Sequence, residues 1–283
     1  SAASDVYKRQ VLWFANNKED AHEDPTIKRS RSHDYVSKEV INVRENVGLI
    51  EVANFSKHEF KGPDARKFLD HIMAGRLPKP GRISLSPMLS YRGKLCGDLT
   101  VACLDENEFM VFGSGAAQEM HRRWFESHLG KFNLSYSNRS DEYHGLSIAG
   151  PNSRKVLEKI VRDNVSNEKF KFRDSRRMFV GGVPAIINRI SFTGELGYEI
   201  YVAPHYQLKL YEELMEAGKE FNIKPFGGRA LMSMRLEKNW GAWTLDYRPD
   251  FTAKETGLDA FINWDKEFIG KESAQKENSS NKL

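Results

Sequence analysis

Three polar residues occupy positions where their type could do chemistry. Glu199 lies in the stretch Ser191–Val202, SFTGELGYEIYV, where Thr193-Gly194-Glu195-Leu196-Gly197 has the glycines for a sharp turn and Tyr198, Ile200 and Val202 then alternate with Glu199 and Tyr201. That two-residue period belongs to a strand. A carboxylate among apolar and aromatic neighbours needs a cation such as an arginine, or the N–H donors of a bound ligand. The plainer alternative is an edge strand whose polar face meets water. Asp98 stands between Gly97 and the apolar run Leu99-Thr100-Val101, where the glycine permits close approach of a ligand; its plainer reading is a turn aspartate that starts the strand. Arg235, in LMSMRLEK, is flanked by Met234 and Leu236 and followed by Glu237, as either a site cation or a helix-surface ion pair. The histidines show no metal-ligand spacing, and His121 with His128 reads as an exposed helix face. No GxGxxG follows a first strand, and no GxxxxGKS or GxSxG occurs. Dinucleotide, nucleoside-triphosphate and serine-hydrolase chemistry therefore lose their usual sequence support.

The elements that must hold these residues are legible from periodicity. A short helix is expected around Val36–Glu45, and GLIEVANFSKHEFKG gives two strands. Gly62-Pro63-Asp64 then starts a helix with Ala65, Phe68, Leu69, Ile72 and Met73 at helical spacing. SLSPMLSYRGKLCGDLTVACL predicts strand, Arg92-Gly93 turn and strand, and EFMVFG pairs back after Asp105-Glu106-Asn107, which makes an antiparallel meander. A helix over about 116–129 offers Met120, Trp124, Phe125 and Leu129 to one face. GLSIAG and Pro151 then repeat the order strand, Gly-Pro, helix, with Val156, Leu157, Ile160 and Val161 on the helix, a sign of an internal repeat. Gly181-Gly182 links two strands as a hairpin, and helices are expected over 206–221 and 228–237.

Lys and Arg exceed Asp and Glu by only 4 and are scattered, so the net charge of +4 gives no case for a nucleic-acid partner. Cys96 and Cys103, on an extended stretch, face opposite sides and read as reduced thiols. No apolar run approaches the roughly 18 residues of a membrane span, so a soluble protein is expected. Residues 1–10 contain SDVYKRQ, which resembles a translated sequencing-library adapter and is set aside as an artefact. Residues 11–46 read as a wrapping segment, 47–270 as the folded domain and 271–283 as a polar tail expected to fray.

Taken together, LWFA, VGLIEVANFSKHEFKGP, GRISLSPMLSYRGKLCGDLTVACL, SIAGPNSRKVL, SFTGELGYEIYV, FGGRALMSMRLEKNWGAW, GLDAFI and DKEFIGKE, in this order, make residues 12–277 resemble a known family. It is the folate-binding region of the dimethylglycine and sarcosine dehydrogenases, which is similar to the glycine cleavage T-protein, an aminomethyltransferase. The resemblance implies an α+β, mixed α/β fold of pseudo-repeated modules with antiparallel sheets around a central folate hole. It implies that Asp98 is the essential aspartate near the folate N10, that Glu199 grips the pterin amino and ring nitrogens, and that Arg235 is the arginine of the SLRLE-like motif. Phe192 stands where several relatives carry a ligand-facing Tyr, and Ser114 where T-proteins carry Asn; Met88 joins them as a folate contact. The implied activity is capture of an iminium or formaldehyde-level carbon by tetrahydrofolate, giving 5,10-methylenetetrahydrofolate. FAD would belong only to an N-terminal domain outside this chain, and a small β-barrel would follow it, so the chain is expected to be a fragment. Partners are then a folate and an iminium or aminomethyl donor, with no nucleic acid and no membrane, in a bacterial cytosol or a mitochondrial matrix. The sequence carries no signal for oligomeric state. A stand-alone folate-dependent aminomethyltransferase or demethylase, and a non-catalytic regulatory protein like the pyruvate dehydrogenase phosphatase regulatory subunit, are the alternatives.

Overall fold

A computed structural model describes residues 11–17, 19–21 and 26–280. The adapter-like residues 1–10 lie outside the described residues. The chain divides into two compact units, one running to Asn54 and adding Asp141–Phe172 and Arg177–Trp240, the other comprising Phe55–Ser140, Arg173–Arg176 and the chain from Gly241.

In the first unit a helix α1 (His33–Glu45) leads into β1 (Val47–Glu51). Glu39, buried on α1, accepts hydrogen bonds from the backbone N–H of Phe14 at 2.7 Å and of Gly227 at 2.9 Å. The wrapping segment is thus tied down through backbone donors that a carboxylate suits well. The unit's sheet has, among the described residues, six strands: β1, β7 (His144–Ala149), β8 (Ser175–Val180), β9 (Val183–Asn188), β10 (Gly197–Val202) and β11 (Ile223–Pro225), in the order β11-β1-β7-β10-β9-β8. Only β1 and β11 are recorded as a parallel pair; β7 pairs antiparallel with both β1 and β10. Helices α4 (Ser153–Ile160) and α5 (Gln207–Gly218) bring Val156, Leu157, Leu210 and Leu214 into the core with Tyr198, Ile200 and Val202 of β10. Gly181 and Gly182 have φ of 56° and 77°, the positive values that a two-residue hairpin turn requires.

In the second unit five strands run β3-β4-β5-β2-β6: β2 (Ser56–Lys61), β3 (Arg82–Leu89), β4 (Leu95–Asp105), β5 (Glu108–Gly113) and β6 (Ser135–Asn138). Every recorded pairing among them is antiparallel, as the meander pattern predicts. Helix α2 (Ala65–Ile72) buries Ala65, Phe68, Leu69 and Ile72, the i, i+3, i+4, i+7 set of one helical face. Helix α3 (Gln118–His128) buries Phe125 but also His121, which is 1% exposed. The expectation of an exposed His121 is therefore wrong: Met120, placed on the core face by sequence, is 38% exposed instead. The polar tail also departs from expectation, since Lys271–Ser280 forms α7, with Ala274 buried against Gly93.

The repeat has a backbone counterpart. Gly62, before α2, has φ of 134° and Gly150, before α4, has φ of 132°, a region open to glycine and strained for other residues. A β-carbon on Gly150 would lie 2.6 Å from the carbonyl oxygens of both Asn46 and Val43. Gly150→Ala is accordingly expected to lower stability by about 2–3 kcal/mol, measured by urea denaturation of the soluble variant.

Candidate functional site

Glu199 is at the middle of β10, paired with Ser147 of β7 on one side and Asn188 of β9 on the other. β10 is internal to its sheet, so the edge-strand alternative is excluded, and Glu199 is half-buried. Because Tyr198, Ile200 and Val202 face the core, Glu199 and Tyr201 share the opposite face of the strand. The Tyr201 hydroxyl donates to Glu199 Oε2 at 2.8 Å. Burial, and then the adjacent Glu199 charge, raise the phenol well above its ordinary range, so it stays protonated as a donor. Tyr201→Phe removes a hydrogen bond to a charged acceptor, and a loss of about 1.5 kcal/mol is expected in the same denaturation assay.

A second group feels the charge of this carboxylate. Lys238, at the C-terminal end of α6 (Gly228–Glu237), donates from Nζ to the Ser191 carbonyl at 3.0 Å and lies with its ammonium 5.3 Å from the Trp240 ring centre. Burial lowers its pKa, and the attraction of Glu199 opposes that shift. Three residues earlier, Arg235 is 5% exposed and donates from Nη1 to the Trp240 carbonyl at 2.9 Å. The surface ion-pair alternative for Arg235 therefore fails, and the residue is a guanidinium held inside the fold. Phe192, half-buried, adjoins the Ser191 carbonyl that Lys238 binds.

The turn between β9 and β10 is built to be rigid. Ser191 Oγ donates to the Glu195 carbonyl at 2.8 Å, and Thr193 Oγ1 accepts the Glu195 N–H at 3.2 Å. Arg44 spans the loop from outside, donating to the Thr193 carbonyl at 3.1 Å, to Glu195 at 2.6 Å and to Glu237 at 2.6 Å. Gly194, with φ of 86°, supplies the one left-handed residue in this stretch. The turn that leads into Glu199's strand is thus held with little ordering left to do.

In the second unit Asp98 sits within β4, opposite Pro87 of β3, and Met88 is opposite Gly97. The aspartate lies inside the strand, three residues past its first residue Leu95, so the strand-starting turn is not its role. The residue is half-buried, and burial of the carboxyl pushes it up to about 7, against the weaker lowering effect of a backbone hydrogen bond. An acid poised there can exist in both protonation states at neutral pH. Ser114 follows β5 directly and precedes the 3₁₀ turn Gly115–Ala117 that leads into α3. Cys96, two residues before Asp98, is half-buried with its thiol raised to about 11 by burial, whereas Cys103 belongs to the core.

Glu199, Arg235 and Phe192 belong to the first unit, and Asp98, Met88 and Ser114 to the second. Sequence reasoning passed over Lys238 and Tyr201. The signal for Tyr201 was its place two residues from Glu199 on one strand face; for Lys238 it was the three-residue helical offset from Arg235. A cavity of about 390 Å³ in the first unit, lined by Phe14, Leu49, Leu146, Tyr211 and Phe226 among others, includes none of the six site residues. Among the described residues no cluster of three or more His, Cys, Asp or Glu could hold a metal ion, and no helix is long and apolar enough to cross a membrane.

Antiparallel sheets with covering helices, and acidic and cationic side chains held on them, define a mixed α/β class of fold. The same fold occurs in the solved aminomethyltransferase T of the glycine cleavage system from Bartonella henselae, with a TM-score of 0.79 over 87% of this chain and 67% of that one at 23% identity. The family described as GCVT N-terminal domain matches residues 5–266, and the chain belongs to it. It is 35% identical over 272 residues to the mitochondrial dimethylglycine dehydrogenase of Mus musculus, covering 94% of this chain and 31% of that one. To the aminomethyltransferase of Halothermothrix orenii it is 31% identical over 237 residues, covering 83% and 66% of the two chains. The chain spans about a third of the length of the dehydrogenases it matches.

Proposed function

We propose that this chain carries out folate-dependent one-carbon transfer, as the acceptor region of a dimethylglycine or sarcosine dehydrogenase-like protein. The observation that carries the reading is Glu199: a carboxylate in the middle of a sheet, oriented by the Tyr201 hydroxyl at 2.8 Å and attracted by the Lys238 ammonium. A carboxylate so held presents acceptor lone pairs to two parallel N–H donors, the pattern of the amino-pyrimidine edge of a pterin, which resembles a guanidinium. Arg235 and Phe192 are assigned to the same end of the folate, the first as a cation and the second as a ring that stacks without a hydroxyl contact. Met88 and Ser114 are assigned as further folate contacts, and Asp98 as the carboxylate that serves the carbon being transferred.

In this reading the methylene carbon of an iminium ion, doubly bonded to the donor nitrogen, is taken up by the two folate nitrogens N5 and N10. Two carbon–nitrogen bonds form, the double bond to the donor amine breaks, and the two protons leaving N5 and N10 end on the amine, which is released as an ammonium ion carrying the iminium's positive charge. The ionised Asp98 stabilises positive charge at the reacting carbon and orients the donor. Oxidation of an N-methylated glycine at a flavin is assigned to a segment outside this chain, in keeping with the share of the dehydrogenases that the chain spans. A mitochondrial matrix or a bacterial cytosol fits the two kinds of relative.

The test supplies the whole protein with N-methyl-¹³C dimethylglycine or sarcosine and tetrahydrofolate, and follows the label by NMR. Label in 5,10-methylenetetrahydrofolate supports the reading. Free labelled formaldehyde at the same rate with and without folate contradicts it, and no turnover of either amine would favour a regulatory protein on the same fold.

A further inference from the structure

We infer that His121 is a positioning residue for Asp98: its imidazole staples an irregularity in β4 and thereby sets the face on which the Asp98 carboxyl projects. The inference rests on the assignment of Asp98 as the carboxylate of the transfer step. Its starting point is the register of β3 and β4. Met88 pairs with Gly97 but Leu89 pairs with Leu95, so Cys96 is an extra residue with no partner on β3. Such a bulge leaves backbone groups out of the ladder and re-aims the side chains that follow. The Cys96 carbonyl is instead bonded by His121 Nε2 at 2.9 Å.

A carbonyl only accepts, so Nε2 carries the proton and Nδ1 is the bare nitrogen. Burial holds the ring neutral, with its pKa lowered to about 4. The same ring explains two glycines. A β-carbon on Gly97 would lie 2.9 Å from His121 Nε2, and one on Gly113 of β5 would lie 3.1 Å from Nδ1 and 2.6 Å from Leu99 Cδ2. Neither glycine is among those with positive φ, so conformational freedom is not what they provide. They provide the slot on two adjacent strands into which the imidazole fits.

What the staple controls follows from the period of a strand. Beyond the bulge Leu99, Val101 and Cys103 pack in the core, which puts Asp98 and Thr100 on the other face. A slip of one residue would exchange the faces, turning Asp98 inward and Leu99 outward. The groups that face the ring are His58 on β2 and Trp243, each with ring centres 6.2 Å away, and Phe125 of α3 at 6.3 Å, together with Cys96 on β4. His58 is likewise neutral, lowered to about 3 by burial and then by His121, and bonded at Nδ1 to the Tyr136 hydroxyl at 2.9 Å. Ser56 Oγ also borders the space beside Gly113, at 3.1 Å from the same β-carbon position as Nδ1.

The test uses the whole protein and three variants. His121→Phe keeps a ring and loses the donor, His121→Gln keeps an amide donor, and Gly97→Ala presses on the ring. Each is read by turnover, by tetrahydrofolate affinity and by a ¹³C NMR titration of the Asp98 carboxyl. For His121→Phe, turnover is expected to fall by about tenfold or more with folate affinity within about threefold of wild type. The carboxyl midpoint is expected to move by about one unit, and His121→Gln to restore both. A merely structural histidine would lower stability and leave the midpoint in place. A folded His121→Phe protein with unchanged turnover and unchanged Asp98 midpoint overturns the inference. Should that variant fail to fold, Gly97→Ala decides, because it must shift the midpoint if ring placement sets the carboxyl. If Asp98→Asn itself leaves turnover intact, the assignment of Asp98 fails, and the titration alone still reports whether His121 holds that side chain.

Discussion

Asp98→Asn is expected to lower the rate of one-carbon transfer by about 10²-fold or more while leaving tetrahydrofolate affinity close to wild type. The amide keeps the shape of the carboxyl and its place opposite Pro87 on β3, but it carries no negative charge to stabilise a cationic carbon. The same residue predicts the pH dependence. Its carboxyl is pushed up to about 7 from an ordinary 3.8 by loss of solvent. The ionised form is the one assigned to the transfer, so the rate should rise with pH through a midpoint of about 7. Stability moves the other way. Between 3.8 and about 7 the folded state holds a proton that the unfolded chain has released, so stability falls as pH rises across that window and levels off above it. Both dependences should vanish in Asp98→Asn, read by stopped-flow rates and by urea midpoints over pH 4–9. Because His121 and His58 are lowered to about 4 and about 3, neither imidazole titrates near the expected rate midpoint. A rate limb near pH 7 that survives in the Asp98 variant would assign it to another group.

Glu199→Gln carries the second large effect, and it falls on binding. The substitution is nearly isosteric, so the strand pairing with Ser147 and Asn188 should persist. One carboxylate oxygen becomes an amide nitrogen with two N–H donors, which opposes the amino group of a pterin and also the Tyr201 hydroxyl that now donates to Oε2. The Lys238 ammonium loses the negative charge that offsets its partial desolvation. Weakening of tetrahydrofolate binding by more than tenfold, at least about 1.4 kcal/mol, is expected. Glu199→Asp is the informative companion, because it keeps the charge and shortens the reach. If both variants bind as the wild type does, the pterin edge is read by another residue.

The parts of the fold that the sequence announced were those with uniform periodicity. Helix α2 and the meander β3-β4-β5 follow from Phe68, Leu69 and Ile72 and from alternating strand residues. The Gly-Pro starts of α2 and α4 announced the repeat because only glycine suits φ values of 134° and 132°. What escaped was set by partners distant in sequence. His121 looks like any polar residue on an amphipathic helix until Gly97 and Gly113 open a slot for its ring. Lys238 looks like a solvated helix end until the Ser191 carbonyl, 47 positions earlier, accepts a hydrogen bond from its Nζ at 3.0 Å. The bulge at Cys96 has no local signature at all, since it appears only when β3 is laid beside β4. For Glu199 and Asp98 the edge-strand and turn alternatives failed on topology, which only long-range pairing reveals: β10 is internal to its sheet, and Asp98 lies within β4.

The most direct test of the central claim is a calorimetric titration of the whole protein with tetrahydrofolate, beside Glu199→Gln. Folate-dependent transfer predicts saturable binding by the wild type and a loss of more than about tenfold in the variant. A demonstrably folded wild-type protein that takes up no tetrahydrofolate would contradict it.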